Sequence, residues 1–138
     1  MTESTRIADD ASENARLARS GYEAFGRGDF AGSTANFDPG VTWHAQRLGQ
    51  LGGDHVGVAA VIGFFGRSME LTRGTFRMEV LDALGSDQHA AVLVRSTAQR
   101  EGRNLDSRQV HLFRVQGGRV LEIWQYVDDA EAVSAFWA

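Results

Sequence analysis

The residues best suited to chemistry lie on a predicted hairpin over residues 106–128. Its two strands are joined by Gly117-Gly118, a dipeptide that supplies the positive φ angles of a two-residue turn. His111 exchanges a proton near neutral pH, which makes it the candidate general acid or base. Trp124 and Tyr126 are predicted to share a face of the second strand, where either one would orient a carbonyl oxygen by a hydrogen bond.

A structural role competes for His111. A core histidine hydrogen-bonded to the backbone or to Gln109 needs no chemistry at all. Gln109 and Phe113 fall on the same face of the strand as His111, because side chains alternate along a strand, and both are candidates for ligand contact. The pattern leaves both interpretations of His111 open.

The facing of the second strand is also open. A β-bulge near Trp124 would turn Ile123 and Gln125 inward in place of Trp124 and Tyr126, because one extra residue reverses the alternation. The sequence does not decide between the two registers.

The whole chain predicts one domain. Its 138 residues are enough for a single core, and the formal net charge of −4 provides no basic surface for nucleic acid or for an anionic membrane. There is no cysteine, no pair of histidines at metal-binding spacing and no Gly-x-Gly-x-x-Gly run, so we expect no metal and no cofactor. The acidic N-terminus is not a secretory signal and the longest apolar run is too short to span a bilayer, so we expect a cytoplasmic protein.

The periodicity places helices before strands. Residues 1–8 are expected to fray, and Pro39-Gly40 is expected to form a turn. The predicted helices begin at Asp9, Asp29, Val58 and Asp129, and the predicted strands cover residues 41–46, 75–84, 89–100 and the two arms of the hairpin. Helices gathered before a meandering antiparallel sheet predict an α+β domain, in which helices cover one sheet face and leave a cone with an open pocket.

This order, with the segments YEAFGRGDFAG, FDPGVTWH, HLFRVQGGRVLEIWQYVDD and the terminal AFW, resembles the SnoaL-like polyketide cyclase branch of the nuclear-transport-factor-like, or ketosteroid-isomerase-like, cone-fold superfamily. The resemblance runs from about residue 15 to residue 137. It implies a pocket lined by Tyr22 and Phe25 from the first helix, by Trp43 from the first strand, and by inward residues of the last two strands. His44 follows Trp43 and faces the other way under strict alternation, but it stays a candidate because short strands near loops twist.

The catalytic sets of the superfamily are incomplete here. At the positions that match the tyrosine, the base aspartate and the protonated aspartate of ketosteroid isomerases, the chain has Gly21, Ala45 and His111. The resemblance to polyketide cyclases implies acid–base work by a histidine and an aspartate on these strands. Asp128 is the nearest acidic candidate for this role. Its alternative role is structural, as the cap of the last helix.

Two functions follow as hypotheses. The first is a pocket that binds a small, largely hydrophobic molecule, with carbonyl-bearing compounds among the candidates. His111 would then either contact this molecule or catalyse its isomerisation or cyclisation. The second is a non-catalytic ligand-binding or dimerisation module. Val110, Leu112 and Leu121 leave the outer sheet face apolar, so we expect a homodimer through the sheet.

Overall fold

The computed structural model describes residues 2–138. Within that range the chain forms four α-helices, namely α1 (Glu3–Gly26), α2 (Phe30–Ser33), α3 (Val58–Leu71) and α4 (Ala130–Trp137), with a 3-10 turn at Gly49–Leu51. The strands are β1 (Phe37–Ala45), β2 (Gly53–Val56), β3 (Arg77–Gly85), β4 (His89–Arg100), β5 (Arg103–Gln116) and β6 (Arg119–Val127). The predicted α+β class is confirmed. No helix in the described part of the chain is long and apolar enough to cross a membrane.

The strands form one mostly antiparallel sheet in the order β2-β1-β6-β5-β4-β3. The last four strands pair as the predicted meander, and both glycines of the β5–β6 turn, Gly117 and Gly118, have positive φ. The first strand joins this meander in parallel, against β6. That pairing, which the sequence did not predict, places the side chains of β1 beside those of β6.

The core lies between the helices and one face of the sheet. Along β5 every second residue from Leu105 to Val115 is buried and the residues between them are more exposed, which is the alternation of a sheet covered on one side. Aromatic rings fill much of the space between the layers, and among them the Phe65 ring packs against both Phe25 and Trp43. We call this buried side of the sheet its inner face.

Helix α1 begins earlier than predicted. Thr2 caps it by accepting a hydrogen bond from the Thr5 backbone N–H, so the helix starts at Glu3 and not at Asp9. The expectation that residues 1–8 fray is therefore wrong from Glu3 onward, and Met1 lies outside the described residues.

The predicted turn at Pro39-Gly40 is also wrong. Both residues belong to β1, where the pairing with β6 is irregular between Phe37 and Thr42. Proline has no N–H to donate, so it is tolerated at an irregular part of a strand and not in a regular central ladder.

A β-bulge sets the facing of β6. Val120 pairs with Val115 and Glu122 pairs with Arg114, which leaves Leu121 as an extra residue on β6. An extra residue reverses the alternation of the side chains that follow it.

The bulge turns Ile123 and Gln125 toward the inner face. Ile123 is fully buried, whereas Tyr126 is 54% exposed and Trp124 lies opposite Leu112 on the outer face. The expectation that Trp124 and Tyr126 face inward is therefore wrong, and the alternative register is the one the chain adopts.

Helix α1 is held close to the sheet by contacts at the β3–β4 turn. The side chain of Asn14 donates to the Ser86 carbonyl oxygen, and a Cβ atom at Gly85 would clash with the Ala11 carbonyl oxygen. Because Gly85 allows this close approach, the next turns of α1 lie over the inner face and bring Tyr22 against β5.

Candidate functional site

The centre of the candidate site is a hydrogen bond between α1 and β5. The Tyr22 hydroxyl lies 2.7 Å from Nδ1 of His111, and the two rings stack with their centroids 5.9 Å apart. His111 is 1% exposed, and the Trp43 ring meets it at 5.5 Å, edge to face. The inward position predicted for His111 is therefore confirmed.

A chain of side-chain hydrogen bonds continues from His111 to the first strand. Nε2 of His111 lies 3.0 Å from Oε1 of Gln109, which also accepts a 2.9 Å bond from Nε2 of Gln125. Oε1 of Gln125 in turn accepts a 2.9 Å bond from the Trp43 indole. Gln125 is missing from the predicted site, although a polar residue between the apolar Ile123 and Val127 was a usable signal.

A second branch leads from Gln109 to Asp128. Nε2 of Gln109 donates to the Ser107 hydroxyl at 3.4 Å, and that hydroxyl donates to Oδ1 of Asp128 at 2.7 Å. Loss of some hydration alone would raise the pKa of the Asp128 carboxyl, but hydrogen bonds from the Arg108 N–H, the Ser107 hydroxyl and the Asp129 N–H outweigh it and lower the pKa. Asp128 is thus an ionised anchor for this branch and does not contact His111, while Asp129 caps α4.

Burial keeps both members of the central pair neutral. It lowers the pKa of His111 from 6.5 to about 3 and raises the pKa of Tyr22 well above its usual value of 10. In each case the cause is removal of the charged form from water. At neutral pH the pair is an uncharged phenol beside an uncharged imidazole.

Two small cavities adjoin the network, each with a volume of about 30 Å³, the share of one water molecule in the liquid. The entrance cavity has exposed rim residues and is lined by Leu17, Ala18, Ser20, Gly21, Tyr22, Phe25, Gly32, Ser33, Asn36, Phe37, Trp43, Phe65, Met78, Phe113 and Val120. The inner cavity is lined by Phe25, Trp43, Leu48, Leu51, Phe64, Phe65, Ser68, Phe76, Met78, Gln109, His111, Gln125 and Trp137. Phe25, Trp43, Phe65 and Met78 line both cavities and separate them.

The predicted site residues divide into two groups. Those the fold brings together around the two cavities are Tyr22, Phe25, Trp43, Gln109, His111 and Phe113. Those it places elsewhere are His44, Trp124 and Tyr126 on the outer face and the exposed Asp128 at the end of β6.

His44 belongs to a separate polar cluster on the outer face. Its Nδ1 lies 2.8 Å from Asp54 and its Nε2 lies 2.6 Å from Glu122, and its ring stacks on Trp124 at 5.5 Å. Partial burial would lower the pKa of His44, but the hydrogen bonds to the two carboxylates outweigh it and raise the pKa. Among residues 2–138 there is no group of three histidine or carboxylate side chains arranged to hold a metal ion.

Comparison with known proteins identifies relatives over nearly the full chain. Residues 18–123 match the SnoaL-like domain family. An uncharacterized protein of Mycobacterium tuberculosis is 32% identical over 133 residues, which are 96% of this chain and all of that protein. The structure of Bal32a, from a soil-derived mobile gene cassette, has a TM-score of 0.89 at 35% identity and covers 94% of this chain and 99% of its own.

More distant structures share the fold. An NTF2-like protein from Burkholderia xenovorans LB400 has a TM-score of 0.78 at 20% identity, over 93% of this chain and 98% of its own. A protein from Jannaschia sp. CCS1, described as a SnoaL-like polyketide cyclase by resemblance, has a TM-score of 0.73 at 18% identity, over 93% of this chain and 94% of its own. Identities this low show a common fold alone, because one fold carries many functions.

Proposed function

The chain belongs to the SnoaL-like domain family, and from that premise we propose that it binds a small, largely apolar molecule between α1 and the inner face of the sheet. The observation that carries the proposal is the Tyr22–His111 hydrogen bond, which lies inside an aromatic interior with a cavity on each side. An apolar pocket with a few fixed polar groups is the usual form of a small-molecule site.

The polar network supports a binding role. A core of aliphatic and aromatic residues would be simpler to stabilise, because each buried polar group must find a partner. Here Trp43, Gln125, Gln109 and His111 are joined in one series of hydrogen bonds that fixes the orientation of every ring and amide. Such preorganised groups give a ligand its orientation, while the surrounding rings give it most of its binding free energy.

Binding of a ring-sized ligand requires the two cavities to join. Each cavity has room for about one water, and the four residues between them must move for anything larger to enter. Met78 is the most adaptable of the four, because its unbranched thioether has three rotatable bonds and fills irregular space. We propose that a shift of Met78 opens the entrance cavity into the inner one.

The geometry favours binding over acid–base catalysis by His111. Both ring nitrogens already have partners, and a pKa of about 3 makes the protonated imidazole costly at neutral pH. Tyr126 and Asp128, the other two candidates for isomerisation or aldol-type cyclisation, do not contact the ring. Turnover by His111 would require a substrate that displaces the Tyr22 hydroxyl from Nδ1.

Tryptophan fluorescence tests the proposal. Trp43 lines both cavities, whereas Trp124 lies on the outer face. Titration with 4-ethylphenol and with 4-ethylanisole should give a saturable change in emission that Trp124→Phe preserves and Trp43→Phe weakens, with Trp137 in the lining of the inner cavity as the remaining reporter. An emission change that Trp124→Phe abolishes, or no saturable change with either compound, would contradict binding in the interior.

We also propose that a second copy of the chain covers the outer face of the sheet. Val110 lies opposite Tyr126 and Leu112 opposite Trp124, so four neighbouring apolar or aromatic side chains form an outer patch. Val110 is 37% exposed and Tyr126 is 54% exposed. The charges beside the patch are matched in pairs, as in Arg114 with Glu122, so two copies related by a two-fold axis would not repel each other.

Sedimentation velocity at micromolar concentration tests the dimer. We expect the mass of two chains for the wild type and of one chain for Val110→Glu. Leu81→Glu is the matched control, since Leu81 is 41% exposed but lies on β3, outside the patch. A wild type that sediments as a monomer would remove the dimer and leave the ligand proposal unaffected.

A further inference from the structure

We infer that the ligand meets Tyr22 as a hydrogen-bond donor, so that the entrance cavity takes molecules with a neutral hydroxyl group, such as phenols, enols or apolar alcohols, in preference to carbonyl compounds. The inference rests on the proposed binding function and narrows the class of ligand. It follows from the direction of each hydrogen bond in the network.

The Trp43 indole fixes that direction, because its N–H can only donate. Its partner must therefore be the oxygen of the Gln125 amide, which turns the Gln125 nitrogen toward Gln109 at 2.9 Å. The Gln109 atom that receives this N–H must be its oxygen, since the opposite orientation would set two donors against each other.

The same oxygen of Gln109 lies 3.0 Å from Nε2 of His111, so Nε2 carries the imidazole proton. The neutral ring then has no proton on Nδ1, which can only accept. The Tyr22 hydroxyl, 2.7 Å away, must donate its one proton to that nitrogen.

The branch to Asp128 requires the same direction. An ionised carboxylate only accepts, so the Ser107 hydroxyl donates to Asp128 and receives its own bond from the Gln109 nitrogen. Trp43 at one end and Asp128 at the other thus impose one proton arrangement on the residues between them.

The Tyr22 oxygen is left with lone pairs and no available proton. His111 is its one hydrogen-bond partner among residues 2–138. Two other hydroxyls of the entrance cavity also have no proton left for a ligand, because Ser20 donates to the Leu17 carbonyl and Ser33 donates to the Phe30 carbonyl. A ligand carbonyl placed beside these oxygens would meet lone pairs, whereas a ligand hydroxyl would find acceptors.

A neutral donor fits better than a cation. None of the residues that line the entrance cavity is an aspartate or a glutamate, so a buried ammonium group would lack a counter-charge. A carbonyl group would have to bind away from these hydroxyls, either at the exposed amide of Asn36 on the rim or in the inner cavity, where Gln109 and Gln125 each keep one N–H outside the bonds described above.

Calorimetric titration with 4-ethylphenol and with 4-ethylanisole tests the inference, because the ether keeps the oxygen and loses the donor. We expect the phenol to bind about tenfold more tightly, the ratio that corresponds to one net hydrogen bond. Equal affinities, or tighter binding of the ether, would overturn the donor inference while leaving the binding proposal in place. Failure of both compounds to bind would overturn both.

His111→Phe provides a second test, which distinguishes control of the Tyr22 proton by His111 from a purely structural role of His111. Without Nδ1 the Tyr22 proton is free, so the hydroxyl becomes a donor and the preference for the phenol should fall to about twofold or reverse. A folded His111→Phe protein that keeps the tenfold preference would show that Tyr22 is not the acceptor. If this variant does not fold, the comparison of the two compounds on the wild type still decides the inference.

Discussion

Oη of Tyr22 and Nδ1 of His111 are 2.7 Å apart, and this hydrogen bond joins α1 to the centre of the inner sheet face. The residue before Tyr22, Gly21, packs so closely on α2 that a Cβ there would lie 2.8 Å from the Ser33 carbonyl oxygen. The position of the Tyr22 ring is therefore set by tight helix packing, and the position of His111 by the sheet.

Tyr22→Phe should destabilise the fold by about 1–3 kcal/mol, because it leaves the buried Nδ1 of His111 without a donor. Tyr126→Phe is the matched control, with both variants made in the Val110→Glu background so that no second copy covers the outer patch: Tyr126 is 54% exposed in the single chain, and we expect a change below about 0.5 kcal/mol. Urea denaturation at neutral pH measures both changes. Equal effects for the two variants would mean that the Tyr22–His111 bond contributes nothing to stability.

His111 should make the protein sensitive to acid. Its pKa falls from 6.5 in the unfolded chain to about 3 in the fold, so the unfolded state takes up a proton first as the pH falls. The stability that depends on neutral His111 is complete above pH 6.5 and should be lower by about 3 kcal/mol at pH 4.5.

The measurement is urea denaturation of the wild type and of His111→Gln between pH 4.5 and pH 7.5. The variant should lose less stability on acidification than the wild type, because it has no imidazole to protonate on unfolding. Parallel pH profiles for the two proteins would contradict a neutral, buried His111.

His44 should show the opposite pH dependence. Its two carboxylate partners raise its pKa above 6.5, so its bridge stabilises the fold fully below that pH and is lost as the pH rises through the higher folded value. The hydrogen bond from His44 lowers the pKa of Glu122. The contribution of ionised Glu122 to the stability of the fold is therefore lost as the pH falls below about 4.5.

The stability difference between wild type and His44→Gln should therefore be largest at about pH 5–6, at roughly 1 kcal/mol, and should shrink toward pH 8. Thermal unfolding across this range, repeated at high salt to screen the charges, gives the profile. A difference that grows with rising pH would mean that His44 is not held as a cation.

Met78→Ala should strengthen the binding of 4-ethylanisole and lower stability by about 2–4 kcal/mol, because truncation joins the two cavities and removes apolar contacts. Met69→Ala is the matched control, since Met69 is also partly buried against the core but lies outside the lining of both cavities. Similar affinities in the two variants would mean that a residue other than Met78 controls the passage between the two cavities.

Much of this site could be predicted from sequence alternation. His111, Gln109 and Phe113 share one face of β5 because the burial of that strand alternates from Leu105 to Val115. Trp43 is buried because the later part of β1, from Val41 to Ala45, alternates in the same way. Helix α3 begins at Val58, as the periodicity predicted.

The errors come from local irregularities that carry no strong sequence signal. The extra residue Leu121 is apolar like Val120 before it and Ile123 after it, so nothing in the composition of β6 shows which residue bulges. As a result Gln125, which the network requires, was not among the predicted site residues, and Trp124 was placed inside.

Contacts between residues far apart in the chain could not be predicted from sequence periodicity either. The partnership of Tyr22 with His111 spans 89 positions in the chain and depends on how closely α1 approaches the sheet at Gly85. The parallel pairing of β1 with β6 is equally non-local, and it is this pairing that brings Trp43 within hydrogen-bond distance of Gln125. Neither contact leaves a periodic trace in the sequence.

The most direct test of ligand binding in the interior is an NMR titration of the three tryptophan indole N–H signals with 4-ethylphenol. Binding beside Tyr22 and His111 should shift the Trp43 signal saturably, give intermolecular NOEs to the Tyr22 and Phe65 rings, and leave Trp124 on the outer face unchanged. A titration in which the Trp43 signal stays fixed, or in which Trp124 alone responds, would contradict a ligand site inside this fold.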